Sequence, residues 1–205
     1  MDVSFWGPSG WQLFHLISMT IGGLKEKKEL FSTLDEVLPC KYCRQSAKEF
    51  LEDPPSNNIA LWLYEFHDKV NNKLHQQHLE NPKIPDPIKS PKFELIIKKY
   101  QEILKERSIQ YPGREFLLSM ALNFDKKSHK KHEQFWNMLL KLYPYYELRK
   151  KLFKPDFNHY FRDVYQMFND MGSPGTLGEI KKEISKHKSS CKAGGTRQKT
   201  CRNKL

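Results

Sequence analysis

The chain has 205 residues, a formal net charge of +11, and a composition that is 38% hydrophobic and 13% aromatic. This length suits one domain or two small ones. The aromatic content is enough to build a core, which excludes a protein that is disordered throughout. No apolar run approaches the roughly 18–20 residues of a membrane-spanning helix, and the first residues do not resemble a secretory signal. We therefore expect a cytoplasmic protein in a reducing compartment, where a disulfide is more often catalytic than structural.

The first half of the chain is predicted to be helical. Apolar residues recur there at helical spacing, and no stretch alternates as a strand does. The segment around Pro8 suits the first turn of a helix, where proline needs no hydrogen-bond donor. Four prolines between residues 81 and 91 indicate an extended connector. The predicted helices span residues 11–21, 27–38, 40–51, 59–78 and 92–107.

Residues 113–171 are predicted to form a second helical block, which faintly resembles the first. The sequence after Phe116 is similar to that after Phe14, and the sequence after Phe135 is similar to that after Phe31. In this register the residues that replace Cys40, Cys43 and His67 are Tyr145, Leu148 and Arg162. The sequence leaves open whether the second block is a degenerate copy or a chance likeness of short helices.

The last part of the chain is predicted to be a flexible basic tail, disordered from residue 186 onward. Residues 179–205 contain nine Lys or Arg and two Glu, which is +7 of the net +11. Such a tail can meet nucleic acid, an anionic membrane or an acidic partner, or it can be a solvated end. Because no aromatic residue follows Phe168, we expect no specific nucleic-acid recognition.

Cys40 and Cys43 form a Cys-x-x-Cys pair that follows Pro39 directly. Zinc usually takes four ligands, and no second pair follows at short range. A thioredoxin-like site needs a βαβ context, whereas the flanks here are helical. A third interpretation is a redox dithiol at a helix N-terminus, where the helix dipole and nearby Lys41 and Arg44 favour thiolate. Such a pair accepts electrons from a client dithiol and must pass them to an acceptor.

Two other helices carry candidate ligands for such an acceptor. Trp11 and His15 are four residues apart on the first helix, and His67 and Asn71 have the same spacing on the fourth. Two helices that present these side chains inward could hold a planar aromatic ligand. Each pair taken alone is more typical of ordinary core or surface residues.

Three motifs occur in the first half of the chain: Trp6-Gly7-Pro8-x-x-Trp11-x-x-x-His15, Pro39-Cys40-x-x-Cys43 and His67-Asp68-x-Val70-Asn71-x-x-Leu74. Together they resemble the signatures of the Erv/ALR family of flavin-linked sulfhydryl oxidases, in the family's order and spacing. The resemblance covers about residues 4–106 and implies a four-helix bundle plus a short fifth helix in residues 1–108. With the second block and the tail, we expect an all-α chain with a small helical domain in 109–172 and a basic tail in 173–205.

The resemblance also implies a reaction. Electrons would pass from a client dithiol to the Cys40–Cys43 pair, then to FAD, and then to O2, which yields H2O2. Cys43 would be the flavin-proximal sulfur, and Cys40 the interchange sulfur that incoming thiols attack. Clients would be thiol-containing proteins or a thioredoxin-like relay protein, and no metal is expected. The residues implied to contact FAD are Gly7, Trp11, His15, His67, Val70, Asn71, Lys73 and Tyr100.

The chain departs from the family pattern at several positions. Asp68 stands where the family usually has Asn, and Leu38 stands where an aromatic residue is common. The structural disulfide that many relatives carry after the fourth helix is absent, since no Cys lies between Cys43 and Cys191. These departures suggest a divergent member close to the viral branch, for which the expected location is the host cytoplasm or the virion.

Three questions stay open at the level of sequence. Cys191 and Cys201 could form a shuttle disulfide on the tail, or they could be adventitious thiols. The chain could be a homodimer across its first two helices, or residues 113–171 could take the partner's place in an intrachain pseudo-dimer. Alternatives to the enzyme are a non-catalytic binding or scaffold module on the same bundle, and a zinc site built from all four cysteines.

Overall fold

A computed structural model describes residues 1–188, and no β-strand occurs in that range. The all-α prediction is confirmed. None of the helices described has both the length and the apolarity needed to cross a membrane. The α-helices are α1 (Val3–Met19), α2 (Leu24–Phe31), α3 (Leu34–Val37), α4 (Lys41–Phe50), α5 (Ile59–Glu80), α6 (Phe93–Glu106), α7 (Arg114–Leu122), α8 (His129–Leu142), α9 (Tyr146–Arg149), α10 (Tyr160–Asp170) and α11 (Leu177–Lys186).

Helix α1 begins earlier than its sequence suggests. The Asp2 side chain accepts a hydrogen bond from the Ser4 backbone N–H at 2.9 Å and caps the helix. Pro8 therefore lies inside α1 rather than in its first turn. The prediction of a start near Pro8 is wrong, because Asp2, six residues upstream, caps the helix with its side chain.

The helix predicted over residues 27–38 is divided into α2 and α3. The Ser32 hydroxyl donates to the Glu29 carbonyl at 2.8 Å, and the Thr33 hydroxyl donates to the Leu30 carbonyl at 2.6 Å. Hydroxyl groups that bond to the preceding turn compete with the helical ladder and bend or end a helix. The division turns α3 toward the start of α4, which carries the two cysteines.

The first half of the chain packs around α5, which contacts α1, α2, α4 and α6, while α6 also packs on α1. Apolar side chains fill the space between these helices. Each large one stabilises the fold by roughly 1.5–3 kcal/mol relative to an exposed position. The fully buried side chains from this half include Leu13, Ile17, Leu30, Phe31 and Leu63.

The second helical block packs on the first two helices of the chain. Helix α7 lies against α1, and α8 lies against α2 and α3, while α10 packs on α7. The rings of Phe14 and Phe116 meet edge to face at 5.1 Å across this junction. The surface formed by α1 and α2 is therefore covered by residues of the same chain.

The second block repeats local features of the first. Phe14 meets Phe31 at 5.8 Å and 83°, and Phe116 meets Phe135 at 6.1 Å and 71°. The turns that precede α4 and α9 also have nearly the same backbone angles. They are φ −57°, ψ 139° at Leu38 and φ −53°, ψ 131° at Tyr143, then φ −106°, ψ 127° at Cys40 and φ −104°, ψ 114° at Tyr145.

Part of the predicted tail is folded. Residues 177–186 form α11, which packs on α7 and buries Ile180 and Ile184. Thr176 and Glu179 form a capping box at its start. The expectation of a flexible tail from residue 173 is wrong for this segment, because two apolar side chains one turn apart suffice to dock a well-capped helix. Residues 189–205, with Cys191 and Cys201, lie outside the described range.

Candidate functional site

A largely apolar cavity of about 510 Å³ lies between α1, α4 and α5, and Cys40 and Cys43 form part of its wall. Its volume is within the range of small-molecule and cofactor sites. Helix α1 contributes Gly7, Gly10, Trp11 and Phe14. Other lining residues are Leu38, Phe50, Phe66, Val70, Lys73 and Leu74.

The two cysteines stand at the N-terminus of α4. Cys40 is the N-cap residue, and its Sγ accepts a hydrogen bond from the Cys43 backbone N–H at 3.4 Å. A hydrogen bond from the Cys43 side chain lowers the pKa of Cys40 to about 6, against the opposing effect of burial. The backbone N–H groups of Cys43 and Tyr42 and the N-terminal ammonium lower this pKa further. The sequence predicted that a helix N-terminus stabilises a thiolate here. In the structure the N–H groups of this terminus lower the pKa of Cys40.

The two sulfurs differ in accessibility. The Cys40 residue is 1% exposed, whereas Cys43 is partly exposed. Cys43 is therefore the sulfur that an incoming thiol meets first in this conformation. The assignment of Cys40 as the interchange sulfur stays a prediction, and it requires a movement that exposes Cys40.

Arg44 holds the turn that precedes the cysteines. Its Nη1 donates to the Leu38 carbonyl at 2.6 Å. The turn also contains Pro39, whose ring restricts the backbone. Arg44 therefore restrains the segment that sets the position of Cys40.

A column of aromatic rings stands behind the cavity wall. The Trp11 and His67 rings stack at 3.7 Å and 9°. His15 Nε2 lies 3.3 Å from His67 Nδ1, and the Tyr100 ring stacks on His15 at 4.7 Å. Burial lowers the pKa of His15 to about 3 and that of His67 to about 4, and it raises the pKa of Tyr100 to about 12. All these rings are uncharged at neutral pH.

The predicted ligand-binding residues fall into two groups. Gly7, Trp11, Val70 and Lys73 line the cavity together with the cysteines. The remaining members, His15, His67, Asn71 and Tyr100, do not line it. Trp11 connects the two groups, because it lines the cavity and its ring also stacks on that of His67.

Lys73 places a positive charge at the cavity wall. Its Nζ lies 3.0 Å from Glu49 Oε2, and it also stands over the Phe50 ring at 5.7 Å. Both groups of the ion pair are more than a third exposed, so the pair is worth little stability. Lys73 can therefore exchange Glu49 for an anionic group of a ligand at low cost.

Several lining residues were missing from the sequence-based prediction. Phe14 lies one turn after Gly10 on α1, and Phe66 lies one turn before Val70 on α5. The stripe of residues 66, 70, 73 and 77 has helical spacing, so the face could have been found by extending it from Val70. Among residues 1–188 no group of three or more His, Cys, Asp or Glu is arranged to hold a metal ion.

The part of the chain that contains this site is similar to known proteins. A sequence model of the Erv1/Alr family matches residues 8–89. A protein of the Warthog/Namibia isolate of African swine fever virus, named FAD-linked sulfhydryl oxidase, is 34% identical over 83 residues, which are 35% of this chain and 70% of that protein. The protein of the same name from the Tick/Malawi isolate is 32% identical over 83 residues, with the same shares. No solved structure matches the chain significantly.

Proposed function

The chain belongs to the Erv1/Alr family, and from its cavity we propose that it is a FAD-linked sulfhydryl oxidase. The observation that carries the proposal is the position of Cys40 and Cys43, which open α4 and also line the 510 Å³ cavity. A dithiol in this position can pass electrons directly to a ligand bound in the cavity.

The residues of the cavity fit FAD. Trp11, Phe14 and Phe66 offer apolar surface to a flat ring system, and Lys73 offers a cation for a phosphate group. The buried Trp6 Nε1, in a residue that also lines the cavity, has no hydrogen-bond partner in the described part of the chain. When bound, FAD would accept two electrons from the dithiol and deliver them to O2 as H2O2.

The chain itself performs the thiol–disulfide exchange. A client thiolate attacks one sulfur of the oxidised Cys40–Cys43 pair, so the S–S bond breaks and a mixed disulfide forms. The second client thiolate then breaks the mixed disulfide, which leaves a client disulfide and a reduced pair. Two electrons and two protons move from client to pair in each cycle.

The pKa of about 6 makes Cys40 the better leaving group of the pair. This favours attack at the more exposed Cys43, whereas the family resemblance implies attack at Cys40. Mass spectrometry of the mixed disulfide trapped by Cys40→Ser and by Cys43→Ser separates the two orders. A client retained by the Cys40→Ser variant alone supports attack at Cys43.

The experiment that tests the proposed activity is the visible absorbance of the purified full chain before and after a dithiol is added in air. A flavin band that bleaches and recovers while oxygen is consumed supports the oxidase. The matched control is the Cys40→Ser/Cys43→Ser variant, which should keep the flavin band but lose the bleaching. A colourless protein that takes up no added FAD would contradict the proposal and favour a non-catalytic binding or scaffold module.

We also propose that residues 113–171 are a degenerate copy of the first block and take the place of a second subunit. The packing of α7 and α8 on α1 and α2 supports this, as do the matching turns before α4 and α9. Tyr145 and Leu148 stand in place of the cysteines, so each chain would have one redox site. Light scattering should find a monomer, and a stable dimer joined through α1 and α2 would contradict the proposal.

The tail cysteines remain candidates for a shuttle, although they lie outside the described residues. The described chain ends beside α1, where the Asp2 N–H donates to the His187 carbonyl at 2.9 Å and the Phe5 and His187 rings stack at 4.1 Å. Cys191 follows Lys188 by three residues, a reach of about 10 Å. We expect Cys191→Ser/Cys201→Ser to slow oxidation of a reduced protein client but not of dithiothreitol. A variant that oxidises the protein client as fast as the unmodified chain does would exclude the shuttle.

A further inference from the structure

Arg44 bridges the turn that precedes the two cysteines. Its Nη1 donates to the Leu38 carbonyl at 2.6 Å, and its backbone N–H donates to the Cys40 carbonyl at 3.0 Å. Pro39 lies between these two acceptors, and its ring fixes its own φ angle. The remaining freedom of this segment is at Leu38 and Cys40, and Arg44 bonds to both of them.

We propose that Arg44 is a positioning residue, which holds this turn closed and thereby keeps Cys40 buried, so that an incoming client thiol meets Cys43. The inference rests on the proposed function, because it concerns the order of thiol exchange. It assigns a role to Arg44, which lies outside the three sequence motifs. It also gives a cause for the difference between the two sulfurs, of which Cys40 belongs to a residue that is 1% exposed while Cys43 is partly exposed.

The second block contains the same arrangement without the cysteines. Arg149 corresponds to Arg44, because Tyr145 corresponds to Cys40 in the register of the two blocks. The Arg149 Nη1 donates to the Lys141 carbonyl at 2.6 Å, and its backbone N–H donates to the Tyr145 carbonyl at 2.8 Å. A proline precedes Tyr145 as well, and the two turns have nearly the same backbone angles. Proline and arginine occur at this turn even where both cysteines are replaced, which indicates that they maintain its conformation.

The second block also packs beside the Arg44 side chain. Arg44 lines a polar cavity of about 130 Å³ together with Leu38 and with His132 of α8. Burial and the charge of Arg44 lower the pKa of His132 to about 3, so the imidazole is uncharged at neutral pH and does not repel the guanidinium group. The second block therefore partly encloses Arg44, which limits the other positions that its side chain can take.

The test is the alkylation rate of each cysteine in the reduced full chain, kept free of oxygen and pulsed with iodoacetamide at pH 8. Trypsin cuts after Lys41, so mass spectrometry detects Cys40 and Cys43 in separate peptides. Cys40 has a pKa of about 6 and is ionised at pH 8, so its rate measures access. Arg44→Ala should raise the Cys40 rate about 10- to 100-fold, because one hydrogen bond from a charged group is lost. The Cys43 rate should stay nearly unchanged, since Cys43 is already partly exposed.

Two further variants separate positioning from a general effect on the fold. Arg149→Ala removes the equivalent bond from a turn without cysteines, and it should leave both rates unchanged. Arg44→Lys keeps the charge but replaces the guanidinium fork by a single ammonium group. Cys40 should then react faster than in the unmodified chain and more slowly than in Arg44→Ala. This variant also provides the test if Arg44→Ala does not fold.

Thiol exchange at Cys40 is measured in a Cys43→Ser background. There the Cys40 thiolate attacks glutathione disulfide, which forms a mixed disulfide and releases one glutathione thiolate. Arg44→Ala should accelerate this reaction by the same factor as the alkylation. Unchanged Cys40 rates in both Arg44 variants, or an equal rise in Arg149→Ala, would overturn the inference. Neither measurement needs bound FAD, so a failure of the proposed oxidase appears separately, as a colourless chain that takes up no FAD.

Discussion

Replacing Gly113 by alanine should destabilise the protein by introducing a methyl group into the junction between the two helical blocks. Gly113 precedes α7 with φ +81°, and a Cβ atom there would lie 2.5 Å from Leu13 Cδ2 and 3.1 Å from Leu13 Cβ and Cγ. Leu13 is fully buried in α1. Its side chain is enclosed on all sides, so it cannot swing away from the new methyl group.

Three contributions determine how much Gly113→Ala changes the free energy of unfolding. The left-handed backbone costs a non-glycine residue about 1–2 kcal/mol. Inserting a methyl group into a packed core costs about 1–3 kcal/mol. Alanine also lowers the conformational entropy of the unfolded chain, which stabilises the folded protein by about 0.4–1 kcal/mol. The free energy of unfolding should therefore fall by about 2–4 kcal/mol.

Gly22→Ala provides the matched control. Gly22 has φ +74°, but no atom lies within 4 Å of a Cβ built there. Its replacement keeps the backbone cost and removes the packing cost, so we expect a loss of about 1 kcal/mol. The difference between the two variants isolates the contact between α7 and α1.

The assay is urea denaturation of the full chain, with the slope of the transition used to confirm that the same surface unfolds. Gly113→Ala should have the lower transition midpoint of the two variants. If both variants lose the same free energy, α7 does not pack on α1 at Leu13, and the proposed intrachain pseudo-dimer loses its central contact.

Two further predictions concern ionisation. In the reduced protein, the ultraviolet absorbance of the Cys40 thiolate should titrate near pH 6, and Cys43→Ala should move this midpoint upward, because the largest stabilising contribution comes from the Cys43 side chain. An unchanged midpoint would refute this cause. Burial lowers the pKa of His15 and of His132 to about 3, and that of His67 to about 4, from 6.5. The contribution of these three groups to stability is therefore present above pH 6.5 and is lost as the pH falls through 4 and toward 3. At pH 5 the three together should cost roughly 5–6 kcal/mol relative to pH 7. Urea denaturation at both pH values should show about two thirds of this dependence in His132→Gln, and full dependence in that variant would contradict the assignment.

Local sequence signals were sufficient for most helices and for the chemistry of the cysteine pair. The position of α4 after Pro39, and the long α5 capped by Asn58, follow from helix periodicity and from residues within one turn of each end. The side-chain hydrogen bonds of Ser32 and Thr33 were equally local, but serine and threonine also occur inside helices, so the division of α2 from α3 was not predictable.

The sequence by itself determined that the chain is helical, that two cysteines open a helix, and that three family motifs occur in order, because each feature depends on residues a few positions apart. Only the tertiary structure decided that Trp11 and Lys73 line the cavity while Tyr100 lies behind it. It alone decided that Cys40 is buried. These features depend on the relative positions of helices that lie far apart in the chain, and those positions are set by packing of the whole core rather than by local preference.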